Sequence, residues 1–140
     1  QLSSGALKGT PNDTEIEARS YELDPYGHVN NAVYVNWLEH GRLCFFRDRG
    51  HTYTSMPETF GVHTVVVHQE LSYRLQVRLG DRLKITTRIV RLGSTSFTFQ
   101  QDVALPDGRS AAGGTVVMAC VGPAGRAVPI PKGLRELLQS

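Results

Sequence analysis

The chain has 140 residues and a mass of 15.4 kDa, which is the size of one domain and excludes a separate cofactor domain. Hydrophobic residues make up 40% of the chain and charged residues 20%, a globular composition that excludes general disorder. The formal net charge is only +2, no run of basic residues supports nucleic-acid binding, and no apolar stretch approaches the roughly 18 residues that a membrane span needs.

The N-terminal segment 1–12 is expected to be flexible, because it is rich in small and turn-forming residues. A start at Gln1 without Met is typical of a trimmed or processed end, so this segment is not assigned to the folded domain. The domain is therefore predicted to span 13–140. Within it, the alternating segment from Thr14 to Tyr21 is expected to form a short first strand.

A loop and a long helix are predicted to follow the first strand. Asp24, which precedes a proline, and Gly27 predict the loop, because proline fixes φ and glycine adopts conformations that other residues avoid. Asn30 or Asn31 is a good N-cap, and apolar residues then recur at helical spacing. Gly50 is a natural stop, so we expect one helix about 30 Å long.

The chain from residue 61 to about Val121 has the composition of β-strands, punctuated by short turns. Consecutive strands with short turns pair antiparallel, which predicts a meander of about four strands. Pro131 is expected to open a brief C-terminal helix. The order predicts an α+β domain, in which one long helix packs on a strongly curved antiparallel sheet of about five strands. Because such a sheet leaves an edge and one face unprotected, we expect a homo-oligomer, either a dimer or a dimer of dimers.

Cysteine and histidine spacing does not predict a metal site. Cys44 and Cys120 have no CxxC or finger-like spacing, so they are expected to be buried thiols in a reducing compartment. His63 and His68, with Glu70, superficially offer ligands, but positions five apart on a strand point to opposite faces.

The densest cluster of chemistry-bearing residues is the loop from Asp24 to Asn31. A carboxylate held by Pro and Gly ahead of a helix N-terminus can place a base and free backbone amides around one small volume. The same residue types also cap turns and helices, so a purely structural interpretation stays open at this point. Farther along the helix, Glu39 and Arg42 are expected to form a solvent-facing or subunit-facing pair.

The string DPYGHVNNAVYVNWLEHGR, at residues 24–42, resembles the acyl thioesterases of the hot-dog fold. Its Asp-Pro-x-Gly loop is similar to the 4-hydroxybenzoyl-CoA thioesterase type. The segment HVNNxxYxxW is similar to plant acyl-carrier-protein thioesterases and to the small acyl-lipid thioesterases. The resemblance implies a hot-dog fold over residues 14–140 and hydrolysis of an acyl thioester of coenzyme A or acyl carrier protein to the free acid and thiol.

The resemblance also implies roles for individual residues. Asp24 takes the position of the catalytic carboxylate, as a general base on water or as a nucleophile, and the backbone N–H of Asn31 takes that of the oxyanion donor. His28 matches a histidine associated with catalysis in the plant enzymes, whose Asn position is Tyr26 here, and a role within the loop stays open for it. The substrate-binding candidates are Tyr26, Gly27, Asn30, Tyr34, Arg91 and Ser94.

The expected partners are an acyl-CoA or an acyl carrier protein, in lipid or polyketide metabolism, with no cofactor or metal. The expected location is the cytoplasm, or the plastid stroma if the source is a plant. Two alternatives stay open. One is a hot-dog dehydratase or hydratase, although the HVNN segment of this chain lacks the prolines of the His-containing loop in those enzymes. The other is a non-catalytic protein that binds acyl thioesters. The sequence has no GxSxG, Walker or GxGxxG pattern, which excludes the usual serine hydrolases, nucleotidases and dehydrogenases.

Overall fold

The computed structural model describes residues 9–140, and residues 1–8 of the segment expected to be flexible lie outside it. The first strand begins at Asn12, two residues before the predicted start at Thr14, because Asn12 already pairs with Thr87. Just before this strand, the Thr10 N–H donates to the carbonyl oxygen of Ser140 at 3.1 Å. The elements are β1 (Asn12–Glu17), a 3-10 turn (Ser20–Glu22), α1 (Asn31–Arg47), α2 (Ser55–Phe60), β2 (His63–Tyr73), β3 (Arg82–Leu92), β4 (Ser96–Ala104), β5 (Ser110–Val121) and α3 (Lys132–Leu138).

All five strands form one antiparallel sheet in the order β1-β3-β4-β5-β2, which confirms the predicted α+β class. The predicted meander is correct only for β3, β4 and β5. β2 lies at the far edge and pairs with β5, with Tyr73 opposite Ala112. A tight hairpin between β2 and β3 does not form, because segment 74–81 is too long for one and first bonds to β5, where the Arg74 N–H donates to the Ala111 oxygen at 2.8 Å.

Helix α1 begins at Asn31 with Asn30 as its N-cap, and it ends at Arg47, before the predicted stop at Gly50. Its buried face packs on the inner face of the sheet. Gly41 makes this close approach possible, since a Cβ there would lie 2.8 Å from Ile85 Cγ2. The helix thereby contributes to both hydrophobic clusters, one around its first half and one around its phenylalanines, and burial of each large side chain stabilises the fold by about 1.5–3 kcal/mol.

Helix α2 was not predicted, because the sequence indicates a loop around Met56 and Pro57. Its start is stabilised by reciprocal bonds between Thr52 and Ser55: each backbone N–H donates to the other's hydroxyl, at 2.9 and 3.1 Å. The Met56 side chain is buried and anchors the short helix to the core. Among the residues that the structure describes, no helix is both long enough and apolar enough to cross a membrane.

Candidate active site

The loop before α1 is a closed turn that presents the carboxylate of Asp24. The Asp24 N–H donates to the His28 oxygen at 2.7 Å, and Gly27 adopts the positive φ of +81° that the turn requires. Oδ1 of Asp24 accepts from the backbone N–H groups of Tyr26 at 2.9 Å and His28 at 3.1 Å. Within residues 9–140, Oδ2 has no hydrogen-bond donor, so one oxygen orients the carboxylate and the other is free for chemistry.

Hydrogen bonds to Glu22 and to Val77, which lies in the segment 74–81 after β2, hold this loop against the rest of the domain. The Glu22 carboxylate accepts from Trp37 Nε1 at 2.9 Å, and its backbone oxygen accepts from the Asn30 N–H at 3.0 Å. On the other side, the Val29 N–H donates to the Val77 oxygen at 3.2 Å. Glu22 was not predicted as a site residue, because its pairing with a tryptophan fifteen residues away has no local sequence signal.

The N-terminus of α1 supplies one free backbone donor next to the loop. Oδ1 of Asn30 accepts from the Ala32 N–H at 2.9 Å, and the Asn30 backbone oxygen accepts from the Val33 N–H at 2.9 Å. The Asn31 N–H has no acceptor within the helix, because Asn31 is the first helical residue, and it has none elsewhere in the described chain. It is therefore an available donor at the positive end of the helix dipole.

Asp24 and Asn31 line one cleft of about 280 Å³. His28 lines it too, and Tyr34 forms a wall whose ring is 4% exposed and packs edge-on against the ring of Tyr73, with centroids 5.2 Å apart. The sequence did not predict the opposite wall, because it comes from the end of β2, whose place at the sheet edge depends on the crossover to β5. The remaining lining residues are Val29, Arg74, Leu75, Gln76 and Val77.

The lining of the cleft includes a buried tyrosine and a half-exposed arginine. Burial raises the pKa of Tyr34, and the nearby Tyr73 and Asp81 raise it further, so this phenol stays neutral at physiological pH. Arg74 also lines the cleft, and its half-exposed side chain donates from Nη1 to Ser110 Oγ at 2.8 Å and lies 3.9 Å from the Asp102 carboxylate.

Three other candidates belong to the loop but do not line the cleft. Tyr26 is 84% exposed and contributes only its backbone N–H to Asp24. Gly27 permits the turn, and the side-chain oxygen of Asn30 is occupied as the helix cap. Their contact with a substrate stays a prediction.

Arg91 and Ser94 lie at the other end of the sheet. The cleft is near Ala112 of β5, whereas the β3-β4 turn that carries Ser94 is near Ala119, which pairs with Ser96. Seven strand positions separate these two alanines, or about 23 Å. The structure therefore does not bring Arg91 and Ser94 into the cleft of the same chain, and their contact with substrate stays a prediction that only another subunit could fulfil.

The expectation that Glu39 and Arg42 face solvent is wrong for Arg42, which is 3% exposed, and the subunit-facing alternative stays a prediction. Arg42 Nη1 donates to Oε1 of the buried Gln101 at 3.0 Å, a partner on β4 that helical spacing cannot indicate. In the described part of the chain, no group of three side chains is arranged to hold a metal ion.

One long helix on a curved sheet with this strand order is the hot-dog fold. A solved thioesterase from Thermus thermophilus, complexed with coenzyme A and Zn, superposes with a TM-score of 0.77 at 32% identity, over 90% of each chain. Residues 18–138 match the family model described as the thioesterase-like superfamily, and the chain belongs to this family.

Two curated relatives agree with this assignment. The long-chain acyl-CoA thioesterase FadM of Escherichia coli (strain K12) is 31% identical over 128 residues, covering 90% of this chain and 96% of its own. The chloroplastic acyl-acyl carrier protein thioesterase ATL2 of Arabidopsis thaliana is 32% identical over 89 residues, covering 64% of this chain and 47% of its own. The chain is thus a thioester hydrolase, as the sequence predicts.

Proposed function

We propose that this protein hydrolyses acyl thioesters of coenzyme A or acyl carrier protein in the cleft between Asp24 and Asn31. The supporting observation is that a carboxylate with one free oxygen and a free helix N-terminal amide line the same cavity. The relatives act on both carriers according to their names, and the similar Thermus structure holds coenzyme A. The proposal covers either carrier, with acyl-CoA as the first substrate to test.

In the proposed reaction, the carbonyl oxygen of the thioester accepts a hydrogen bond from the Asn31 N–H, where the helix dipole favours negative charge. The free oxygen of Asp24 takes a proton from the attacking water, or it attacks the carbonyl itself to give an anhydride that water then cleaves. The leaving thiol has a pKa of about 8.5, so its thiolate departs near neutral pH without a strong acid. The products are the free acid and the thiol.

Replacement of Asp24 by asparagine tests this role without unfolding the loop. The amide introduced by Asp24→Asn would retain a side-chain oxygen that can accept from the Tyr26 and His28 N–H groups, while the charge is lost. We expect thiol release from an acyl-CoA panel to fall about 10²–10⁴-fold. Asp107→Asn, which removes a carboxylate from an exposed turn, is the matched control and should retain full turnover.

Unchanged turnover in Asp24→Asn would contradict the assignment of the carboxylate. The same panel separates the other candidate functions. Water addition to crotonyl-CoA without thiol release would indicate a hydratase. Thioesters that bind to the wild-type protein and persist would indicate a non-catalytic acyl-binding protein.

We also propose that the protein is a homodimer or a dimer of dimers, joined at the free edge of β2. β2 is an edge strand of the sheet, and three consecutive valines at 65–67 are 41%, 44% and 57% exposed. An exposed apolar edge strand is a template for pairing with another chain. Light scattering should show that Val66→Lys dissociates the oligomer and that Glu15→Lys, on the opposite edge, does not. A monomeric wild-type protein would contradict this proposal.

A cytoplasmic location completes the proposal. Both Cys44 and Cys120 are free and buried. Free thiols are typical of proteins in a reducing compartment. Fractionation of the source cells would test the location, and recovery of the protein outside the cytoplasm would contradict it.

A further inference from the structure

A second cavity, of about 350 Å³, lies between α1, α2 and the first half of β2. It is not part of the cleft, and it has a mixed lining. Met56 and Met118 supply apolar surface, whereas Arg42, Tyr53 and Thr64 supply polar groups, and the exposed side chains of Glu39 and His63 also line the cavity.

Arg42 is a buried cation that forms no salt bridge within the described chain, although the exposed Glu39 lines the same cavity. Arg42 is 3% exposed, and no carboxylate of residues 9–140 is in salt-bridge contact with it. Its Nη1 is satisfied by Gln101, but its Nε is buried and has no hydrogen-bond partner among the described residues. Removing an unpaired charge from water is costly, so a ligand that brings the opposite charge would offset part of this cost.

A second unsatisfied atom belongs to a residue that lines the same cavity. Thr64 Oγ1 is buried and has no hydrogen-bond partner within residues 9–140. Buried polar atoms are nearly always bonded in folded proteins, and here two orphaned ones belong to residues that line one cavity. The cavity is therefore suited to a ligand that carries an oxygen acceptor on an otherwise apolar body.

The two cavities are flanked by the same two elements. Asn31 of α1 and Tyr73 of β2 line the cleft, whereas Arg42 of α1 and Thr64 of β2 line the second cavity. Eleven helical positions separate Asn31 from Arg42, or about 16 Å along the axis, and helical side chains lean back toward the N-terminus. The two cavities share no lining residue, so an acyl group whose carbonyl is held at Asn31 must span about 16 Å along α1 to reach the Arg42 guanidinium.

We propose that the second cavity receives the far end of the acyl group and that Arg42 selects acyl chains ending in a carboxylate. This inference rests on the proposed function. The substrate class is then the mono-thioesters of dicarboxylic acids. Val65 and Val66 also border the cavity, so a second subunit seated on the β2 edge encloses the acyl end and strengthens its pairing with Arg42.

Burial lowers the pKa of the Arg42 guanidinium, an effect that Tyr53 and Glu39 partly oppose. The group nevertheless stays protonated, since an arginine remains charged in proteins. The guanidinium is therefore permanently charged, and the Glu39 carboxylate in the same lining is exposed to solvent, which screens its charge. A methyl-terminated chain leaves the guanidinium charge unpaired, whereas a carboxylate-terminated chain neutralises it with a charge-assisted hydrogen bond.

The test compares CoA thioesters of straight-chain monocarboxylic acids with those of dicarboxylic acids, over a series of matched lengths. We expect the wild-type kcat/KM to favour the carboxylate-terminated member at one intermediate length by about thirtyfold or more, mainly through KM. Arg42→Met removes the charge at similar size and should abolish this preference while methyl-terminated thioesters are still hydrolysed. Arg42→Lys retains the charge and should keep part of the preference.

A binding experiment covers the case in which Arg42→Met does not fold. Non-hydrolysable thioether analogues of both series are titrated by calorimetry into the wild-type protein and into Thr64→Val. The carboxylate-ended analogue should bind to the wild type more tightly than to Thr64→Val. Equal hydrolysis of both series at every length overturns this inference but not the proposed function. Hydrolysis of neither series, whether the acyl group is carried by CoA or by acyl carrier protein, refutes the proposed function. An Arg42→Met protein that keeps its substrate preference also overturns the inference. If that protein in addition no longer self-associates, Arg42 pairs with a charged group of the partner subunit and not with the acyl end.

Discussion

Replacement of Gly41 by alanine has two opposing effects on the free energy of unfolding, and the size of each is known. Alanine is favoured over glycine inside a helix by about 1 kcal/mol, which alone would stabilise α1. The new Cβ would, however, lie 2.8 Å from Ile85 Cγ2, 2.9 Å from Thr87 Oγ1 and 3.0 Å from Gln101 Nε2. Overpacking of this kind costs about 1–3 kcal/mol.

The neighbours of Gly41 decide whether the substitution raises or lowers the free energy of unfolding, because they are held in place and cannot make room for the new Cβ. Thr87 and Gln101 are 0% and 1% exposed, and Gln101 Nε2 donates both to Thr87 Oγ1 and to the Leu38 oxygen at 2.9 Å. We therefore expect Gly41→Ala to lower the free energy of unfolding by up to about 2 kcal/mol, measured by urea denaturation.

Gly133→Ala is the matched control in α3. Its nearest neighbour would be the ring of the partly buried Phe60 at 3.0 Å, which can tilt away. We expect no loss of stability there and a gain of up to about 1 kcal/mol. A Gly41→Ala protein that is more stable than the wild type would refute the interpretation that the Thr87 and Gln101 side chains limit how closely α1 can approach the sheet.

Two further predictions concern the helix cap and alkaline pH. Asn30→Ala removes the acceptor of the Ala32 N–H and should lower the free energy of unfolding by about 1 kcal/mol, whereas Asn30→Ser keeps a capping oxygen and should lose little; equal urea midpoints would contradict the cap. Burial raises the pKa of Tyr34 and of Tyr53, so the folded state keeps protons that unfolded tyrosines lose near pH 10. Stability should therefore decline as pH rises above about 10, and Tyr34→Phe should flatten this decline in thermal melts.

The loop and the start of α1 were predictable because their determinants are local. Gly27 supplies the positive φ of the turn, and Asn30 caps the helix two residues before the N–H it accepts from. The sequence left Asn30 and Asn31 as equal candidates for the cap, and only the bond to Ala32 distinguishes them. The first helical amide could be placed to within one residue for the same reason.

The opposite wall of the cleft and the burial of Arg42 were not predictable, because both depend on distant pairings. Strand composition does not indicate at which edge of the sheet β2 pairs, so Tyr73 could not be brought to the helix start. Arg42 and its acceptor Gln101 are 59 residues apart. An arginine three residues after a glutamate has the same local pattern whether it faces solvent or the core.

The Asn31 amide can be removed by one substitution that the fold should tolerate. Asn31 is the first residue of α1, where proline is favoured because its missing N–H has no partner in the helix. Asn30 already has φ of −62° and ψ of 138°, the extended conformation preferred before proline. Asn31→Ala is the control, because it shortens the side chain and keeps the N–H.

Thioester hydrolysis by Asn31→Pro is the most direct test of the proposed catalytic cleft. We expect kcat to fall about 10²–10³-fold with an unchanged urea midpoint, since one oxyanion donor is lost, while Asn31→Ala keeps most of its turnover. Full turnover in a correctly folded Asn31→Pro protein would contradict the claim that this amide and the Asp24 carboxylate act together on the thioester carbonyl.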